Sequence, residues 1–536
     1  MFFSPDYFLS QFSASAIGRT MNFFSLSRPL TIILVFVSIA KMSLSSVIMG
    51  QQDDAVEKPT PAANQDSKPS TKAPPLSPAE SIKTMQIKPG YRVVPVLAEP
   101  HIHEPAAIAW DGNGRLYVVE MRTYMQEIDG QNQLKPTSRV SRHEDTDGDG
   151  VYDKHTVFAD HLSLPRMVLP LLDRVIIRET NTLDLKSYQD TDGDGVADKI
   201  EIWHEGGGRG GNLEHQPSGL IWNVDNWIYT TYSGHRYRVL DGKVIRQTIP
   251  HGAGQWGLTH DNVGRIFYSS AGGENPATDF QQPIVYGRIA LGGEQADNFR
   301  EVFPIDNVPD TQGGRGRLRE NDTLNRFTAS CGQSVYRGDQ MPADFDGDLI
   351  ICEPVGRLIR RANVTNDQGR IVVSNAYPKS EFITATDPNF RPVNSATGPD
   401  GSLYIVDMYR GIIQEGNWVR PGSYLRGIVE KYELDKNIGR GRIFRIDHTG
   451  SKRPVRRPRM LDETPAELVV HLADPNGWWR SEAQKLLILH NDKSVIPALQ
   501  KMAIHSASPL GRLHALWTLE GLSAIEMAVL ETSFAD

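Results

Sequence analysis

The sequence predicts a mainly β protein: a six-bladed β-propeller followed by a short α-helical, HEAT-like repeat region. Three observations carry this. Six segments run from an apolar strand through a polar turn into a second strand: Ile108 to Glu120, Met167 to Glu179, Leu220 to Tyr232, Leu258 to Ser270, Val335 to Glu353 and Ala396 to Asp407. Asp-Gly, Asn-Gly or Asn-Val-Gly occupies the turns of the clearest copies, where a tight hairpin needs positive φ. From Thr464 onward the apolar period changes from two to that of a helix. Hairpin units recurring every ~40–60 residues imply blades stacked around an axis.

The elements follow in chain order. Arg28 precedes an apolar run from Leu30 to Ala40. That run is shorter than the ~20 residues a bilayer crossing needs, but suits the central region of an export signal. Residues 1–50 are expected to be a signal peptide cleaved near Gly50, with an uncleaved membrane anchor as the alternative. Either way the protein is expected outside the cytoplasm, in the periplasm or at the cell surface. Residues 51–85 read as a disordered Pro-rich linker, with six prolines between 51 and 80. The propeller spans 86–449, and a basic linker with Lys452, Arg453, Arg456, Arg457 and Arg459 spans 450–462. Residues 463–536 form the HEAT-like region. Thr464-Pro465-Ala466-Glu467 is a capping box with Pro at the first helical position, and further helices are expected at 478–490, 494–504 and 509–520. Trp478, Trp479 and Trp517 are expected to pack rather than bind.

The net charge of −8 argues against a nucleic-acid partner. Cys331 and Cys352 are the two cysteines, and they flank one hairpin, so a bridge and two separate thiols both stay open. No Cys-x-x-Cys-His occurs, so the chain holds no covalent c-type haem.

Two acidic loops repeat 45 residues apart: Asp145, Asp147, Asp149, Gly150 and Asp153, then Asp190, Asp192, Asp194, Gly195 and Asp198. Oxygen ligands at positions 1, 3, 5 and 9, with the carbonyls of Val151 and Val196 at position 7, match a calcium loop. Glu201 completes the second loop at position 12, where the first has Thr156. Both loops close outer hairpins on the face of the Asp-Gly turns, away from the presumed pocket. Calcium there would brace blades, and the alternative is a metal-free acidic turn.

The opposite face gathers the residues before the inner strands and after the second strands. These include His103, Arg166, His215, His251, Gln255, Arg178, His235, Arg236, Glu353, Tyr409 and Arg410. Arginine forks suit a carboxylate-bearing ligand and histidine suits a base near neutral pH. Trp256 and Tyr409 offer aromatic rings there.

The run from His215 to Asp225, continuing to Tyr229, resembles the soluble quinoprotein glucose and sorbosone dehydrogenase family. That resemblance implies pyrroloquinoline quinone as cofactor and His215 as general base, with Arg236, Arg410, Arg178 and Gln255 as quinone-binding candidates. Here Asn223-Val224-Asp225-Asn226 replaces the family's Gly-Pro-Asp-Gly, and no counterpart of its quinone-binding lysine is found. A wider resemblance rests on EDTDGDG, the YRGD and CEP pair near Tyr336 and Glu353, DMYRGIIQEG (Asp407 to Gly416), PNGWWRSEAQKLL (Pro475 to Leu487) and RLHALWTLEGL (Arg512 to Leu522). These are similar to large exported bacterial proteins of the membrane-bound dehydrogenase type, in which a cytochrome c domain follows the helices; this sequence ends at Asp536. The expectation is a dehydrogenase acting on a sugar, aldehyde or alcohol and passing electrons to a separate c-type cytochrome. The alternatives are a non-catalytic or hydrolytic carbohydrate-binding propeller, and a calcium-braced interaction scaffold.

Overall fold

The structure is a computed structural model that describes residues 72–249, 254–270, 275–278, 294–305, 315–367, 370–451 and 456–534. The expected export signal, most of the linker, His251, Lys452 and Arg453 lie outside them. The described residues include the last part of the stretch expected to be a tether. Helix α1 (Pro78–Lys83) starts with a capping box between Ser77 and Glu80. Strands β1 (Met85–Ile87) and β2 (Tyr91–Ala98) follow, each joining a sheet completed much later in the chain.

Among the described residues, six antiparallel sheets come next. The first holds β3 (Pro105–Trp110), β4 (Leu116–Glu120), β5 (Ser138–Glu144) and β6 (Lys154–Leu162). The second holds β7 (Met167–Pro170), β8 (Val175–Arg178), β9 (Leu185–Gln189) and β10 (Lys199–His204). The third holds β11 (Ile221–Trp222), β12 (Ile228–Tyr229), β13 (His235–Leu240) and β14 (Lys243–Thr248). The fourth holds β15 (Leu258–His260), β16 (Ile266–Ser270) and β17 (Asn275–Thr278). The fifth is built from β18 (Cys331–Val335), β19 (Leu349–Glu353), β20 (Leu358–Asp367), β21 (Arg370–Asn375) and β22 (Ile383–Ala385), with β1 on its edge. The sixth joins β23 (Pro392–Thr397), β24 (Leu403–Asp407) and β25 (Arg442–His448) to β2, Tyr91 lying opposite His448. The result is a mainly β propeller.

The second strands show why the sequence folds this way. Residues of LYVVE (β4), LIICE (β19) and LYIVD (β24) are buried along their whole length. A sheet sandwiched between two neighbours buries both faces, so its central strand is a continuous apolar run. Cys331 and Cys352 stand opposite each other in β18 and β19 as two buried free thiols.

Helix α2 (Tyr424–Tyr432) is inserted between β24 and β25. After the sheets come α3 (Pro465–His471), α4 (Gly477–His490), α5 (Ile496–His505), α6 (Pro509–Gly521) and α7 (Met527–Phe534). These helices dock on the turn face of the propeller. Asn476 and Trp479 donate to Pro399 O, Gln484 donates to Val224 O and Arg480 to Asn262 Oδ1, all at 2.6–3.1 Å. Arg238 of β13 pairs with Glu520 of α6 at 2.7 Å. The stretch expected to be a basic linker is docked too. Met460 is fully buried, its N–H donates to Gly112 O, and Arg456 forms two bonds to Asp474. None of the helices of the described residues is long and apolar enough to cross a membrane.

Candidate functional site

The inner strands β3, β7, β11, β15, β18 and β23 line a central channel of about 280 Å³. On the turn face, Trp478, Ser481, Glu482 and Lys485 of α4 form its wall. Helix α4 therefore covers that end of the channel.

Several polar residues at the opposite mouth are structural. At the ends of second strands, carboxylates accept N–H groups from the segments that enter the inner strands. Glu120 accepts from His103 (2.9 Å), Glu179 from Ser163 (2.7 Å), Glu353 from Thr328 and Ala329 (2.8 and 2.9 Å), and Asp407 from Arg391 (2.8 Å). Each acid latches its own blade. Burial pushes the carboxyls of Glu120 and Asp407 up to about 7.

The mouth holds a cavity of about 130 Å³ lined by Tyr124, Glu214, His215, Trp256, Gln414 and Trp418, among apolar neighbours such as Met121 and Met408. Two chain segments meet there through their acids. Glu415 N donates to Glu214 Oε1 at 2.7 Å, and Glu214 N donates to Glu415 Oε2 at 3.3 Å. Tyr124 donates its hydroxyl to Glu214 Oε1 at 3.0 Å. Burial and the charge of Glu415 push the Glu214 carboxyl up. His215 is solvent-exposed beside Glu214, its ring stacked on exposed Tyr232 with centroids 6.2 Å apart. Gln255 is buried behind them and donates to Glu214 O at 3.0 Å. Trp418 is exposed and Trp256 half-buried.

Of the expected quinone ligands, only Gln255 lines this cavity with His215. Arg236 bonds Gln247 and Tyr229 inside its own blade and stacks on Trp227 at 4.1 Å. Arg178 is buried and donates to Leu183 O. Arg410 is buried against Glu104 and the carbonyls of Tyr124 and Met125. Tyr409, expected as an exposed ring, is buried and bonds Asp387. The reason is shared: residues just past a strand end can turn back into the blade, and strand position alone does not distinguish that from facing a pocket. A quinone bearing carboxylates would find none of these three guanidinium groups at the mouth, so the site does not fit that cofactor as expected. The sequence reading missed Tyr124, Glu214, Tyr232, Glu415 and Trp418. A signal existed for two of them, since Glu214 precedes His215 directly and Glu415 lies in the DMYRGIIQEG motif.

The acidic loops lie between β5 and β6 and between β9 and β10. Asp145, Asp147 and Asp149 converge, as do Asp190, Asp192 and Asp194, with ligand atoms of each trio within 4.8 Å of one another. Asp153 and Asp198 instead accept from Thr146 and Thr191, and Glu201 pairs with Lys199 at 3.2 Å. Val151 and Val196 are exposed in the loops. Arg142 of β5 reaches Asp190 of the next blade at 3.1 Å, and Arg445 of β25 reaches Gly150 O at 3.2 Å.

A family profile described as "Domain of unknown function (DUF7133)" matches residues 77–450. No curated protein matches the chain significantly. Among solved structures, an oxidoreductase (glucose dehydrogenase) of Thermus thermophilus is 17% identical with a TM-score of 0.38, over 67% of this chain and 100% of that one. The PQQ domain of pyranose dehydrogenase from Coprinopsis cinerea is 14% identical with a TM-score of 0.38, over 68% and 97%. An auxiliary nutrient binding protein of Bacteroides thetaiotaomicron is 12% identical with a TM-score of 0.35, over 67% and 76%.

Proposed function

The chain belongs to the DUF7133 family, and we propose that its mouth binds a sugar-like polyol whose hydroxyl proton passes to His215. The observation that carries this is the placing of the aromatic rings of Trp256, Trp418 and Tyr232 around the adjacent pair Glu214 and His215. Ring faces match the apolar faces of a sugar, while acids and amides match its hydroxyls. His215 is exposed at the cavity and so can accept a proton from a bound hydroxyl. Glu214, its carboxyl raised, can donate to a second ligand oxygen, and Tyr124 holds it in place. Deprotonating a hydroxyl serves acid–base cleavage, and serves sugar oxidation only where a separate acceptor takes the hydride. Quinone-dependent oxidation with a separate cytochrome is the second reading. The position of His215 favours it, and the three arginines turned away from the mouth weigh against it.

We read the six sheets as six blades, and the two Asp trios as calcium sites that brace them. The protein is read as exported, acting in the periplasm or at the cell surface.

The test is calorimetric titration with a panel of neutral sugars and polyols, beside Trp418→Ala and His215→Ala. Binding weakened at least tenfold by Trp418→Ala, with turnover lost in His215→Ala while binding persists, is the expected pattern. Absence of binding across the panel would remove the polyol reading.

A further inference from the structure

The central channel carries more cationic groups than acids. Among the described residues, Arg166, Arg337 and Lys485 line it with a single carboxylate, Glu482, which Lys485 takes at 2.7 Å. Arg337 directs its nitrogens to neutral partners: the His260 ring, Asn262 Oδ1, Gly477 O and Ser481 Oγ. Arg166 is different. Its Nη1 donates to Leu213 O at 2.8 Å and lies 3.4 Å from Thr180 Oγ1, and its guanidinium stacks 3.9 Å from the centroid of Trp256. Among the described residues, Nε and Nη2 have no partner, although the residue is only 3% exposed.

These two nitrogens form one edge of the guanidinium plane. Their parallel N–H bonds are the fork that matches two carboxylate oxygens. Burial pushes Arg166 down to about 9, so it stays charged at neutral pH. A buried charge facing only neutral groups is costly unless an anion shares its site. Among the described residues, no Asp or Glu forms an ion pair with it, and Glu214 acts on it only as a more distant field.

We propose that Arg166 holds a small carboxylate at the mouth end of the channel, in the plane of its Nε–Nη2 edge. Arg166 lines the channel of about 280 Å³, and its Nε–Nη2 edge is itself buried, so the anion enters as the guanidinium turns toward that space. The carboxylate is either a free small acid or the acid group of a uronic sugar entering past Trp256. The second source rests on the polyol reading of the mouth; the first does not.

Isothermal titration of the full chain with acetate and with galacturonate tests this, beside Arg166→Met, Arg166→Lys and Trp418→Ala. Acetate should bind saturably, and at least tenfold more weakly to both Arg166 variants, because lysine keeps the charge but loses the fork. Galacturonate binding that is tighter than acetate and weakened by Trp418→Ala identifies the sugar acid. Equal affinities untouched by Trp418→Ala identify a free anion. Acetate binding with no sugar binding removes the mouth reading and leaves this one standing. A parent protein that binds neither acid, or Arg166→Met binding acetate as the parent does, overturns the proposal. In anion-free buffer, Arg166→Met should melt no lower than the parent, so that lost binding is read from folded protein. Should it fail to fold, the parent and Arg166→Lys decide.

Discussion

Arg410 and Glu104 face each other at 3.3 Å with both side chains 1% exposed, and they tie the last sheet to the first. Arg410 follows β24, Glu104 precedes β3, and Glu104 also accepts from Gly439 N at 2.6 Å. Arg410→Ala would strand a buried carboxylate, and we expect a loss of ~3–5 kcal/mol in stability. Urea denaturation measures it, and adding Glu104→Gln should recover part of the loss. If Arg410→Ala keeps its stability and loses ligand binding, the arginine is a ligand group after all.

The latching acids predict a pH dependence. Glu120 and Asp407 titrate at about 7 because they are buried, well above the ~4 of an unfolded chain. Between those values the folded state binds more protons than the unfolded one. Their contribution is therefore full near pH 4 and is lost as pH rises toward 7. The buried rings of His143 and His260, held down to about 3 chiefly by burial, act with the opposite sign as pH falls below about 6.5. The readout is accordingly the difference between parent and Glu120→Gln. Between pH 5 and 7 the variant should lose less stability than the parent, by up to ~1.4 kcal/mol per pH unit. Identical slopes would place the Glu120 carboxyl in the ordinary range.

Calcium should raise the melting temperature by a few degrees and a chelator should reverse the gain, since a ligand that binds only the folded state stabilises it. Asp147→Asn with Asp192→Asn should abolish the response, because each removes a carboxylate from its trio. Melting indifferent to both calcium and chelator would show that the loops are held by their own N–H bonds, such as Gly150 N and Gly195 N to the first aspartate.

Trp479 is 4% exposed, donates to Pro399 O and packs against Arg456. Trp479→Ala should cost ~3–5 kcal/mol. Because α4 is bonded to the turns of several sheets, propeller and helices should still unfold in one transition. Two transitions in calorimetry would mean that the helices melt independently.

The repeated hairpins were legible because a strand buried on both faces leaves a long apolar run, as in β19 and β24. The helices from Thr464 were legible from their caps and period, and α4 and α6 lie within a residue of the expected bounds. Helix α2 was not, since it sits in a connection between two strands that the hairpin pattern skips. At the site, the position of His215 followed from the face argument. The fates of Arg178, Arg236 and Arg410 did not, because a long side chain at a strand end can fold inward. Glu353 looks like pocket chemistry in sequence, and acts instead, as Glu120, Glu179 and Asp407 do, as an acceptor for backbone N–H groups.

The sixth sheet pairs Tyr91 with His448, so a strand made early must wait for one made late. Until β25 emerges, β2 has no partner, and Arg410 does not yet meet Glu104. Pairing over so long a stretch of chain is slow to find and leaves unpaired edges meanwhile. Closure of this seam is therefore expected to be the slow step of assembly. The mouth, with Glu415 supplied from beyond β24, is among the last parts to exist.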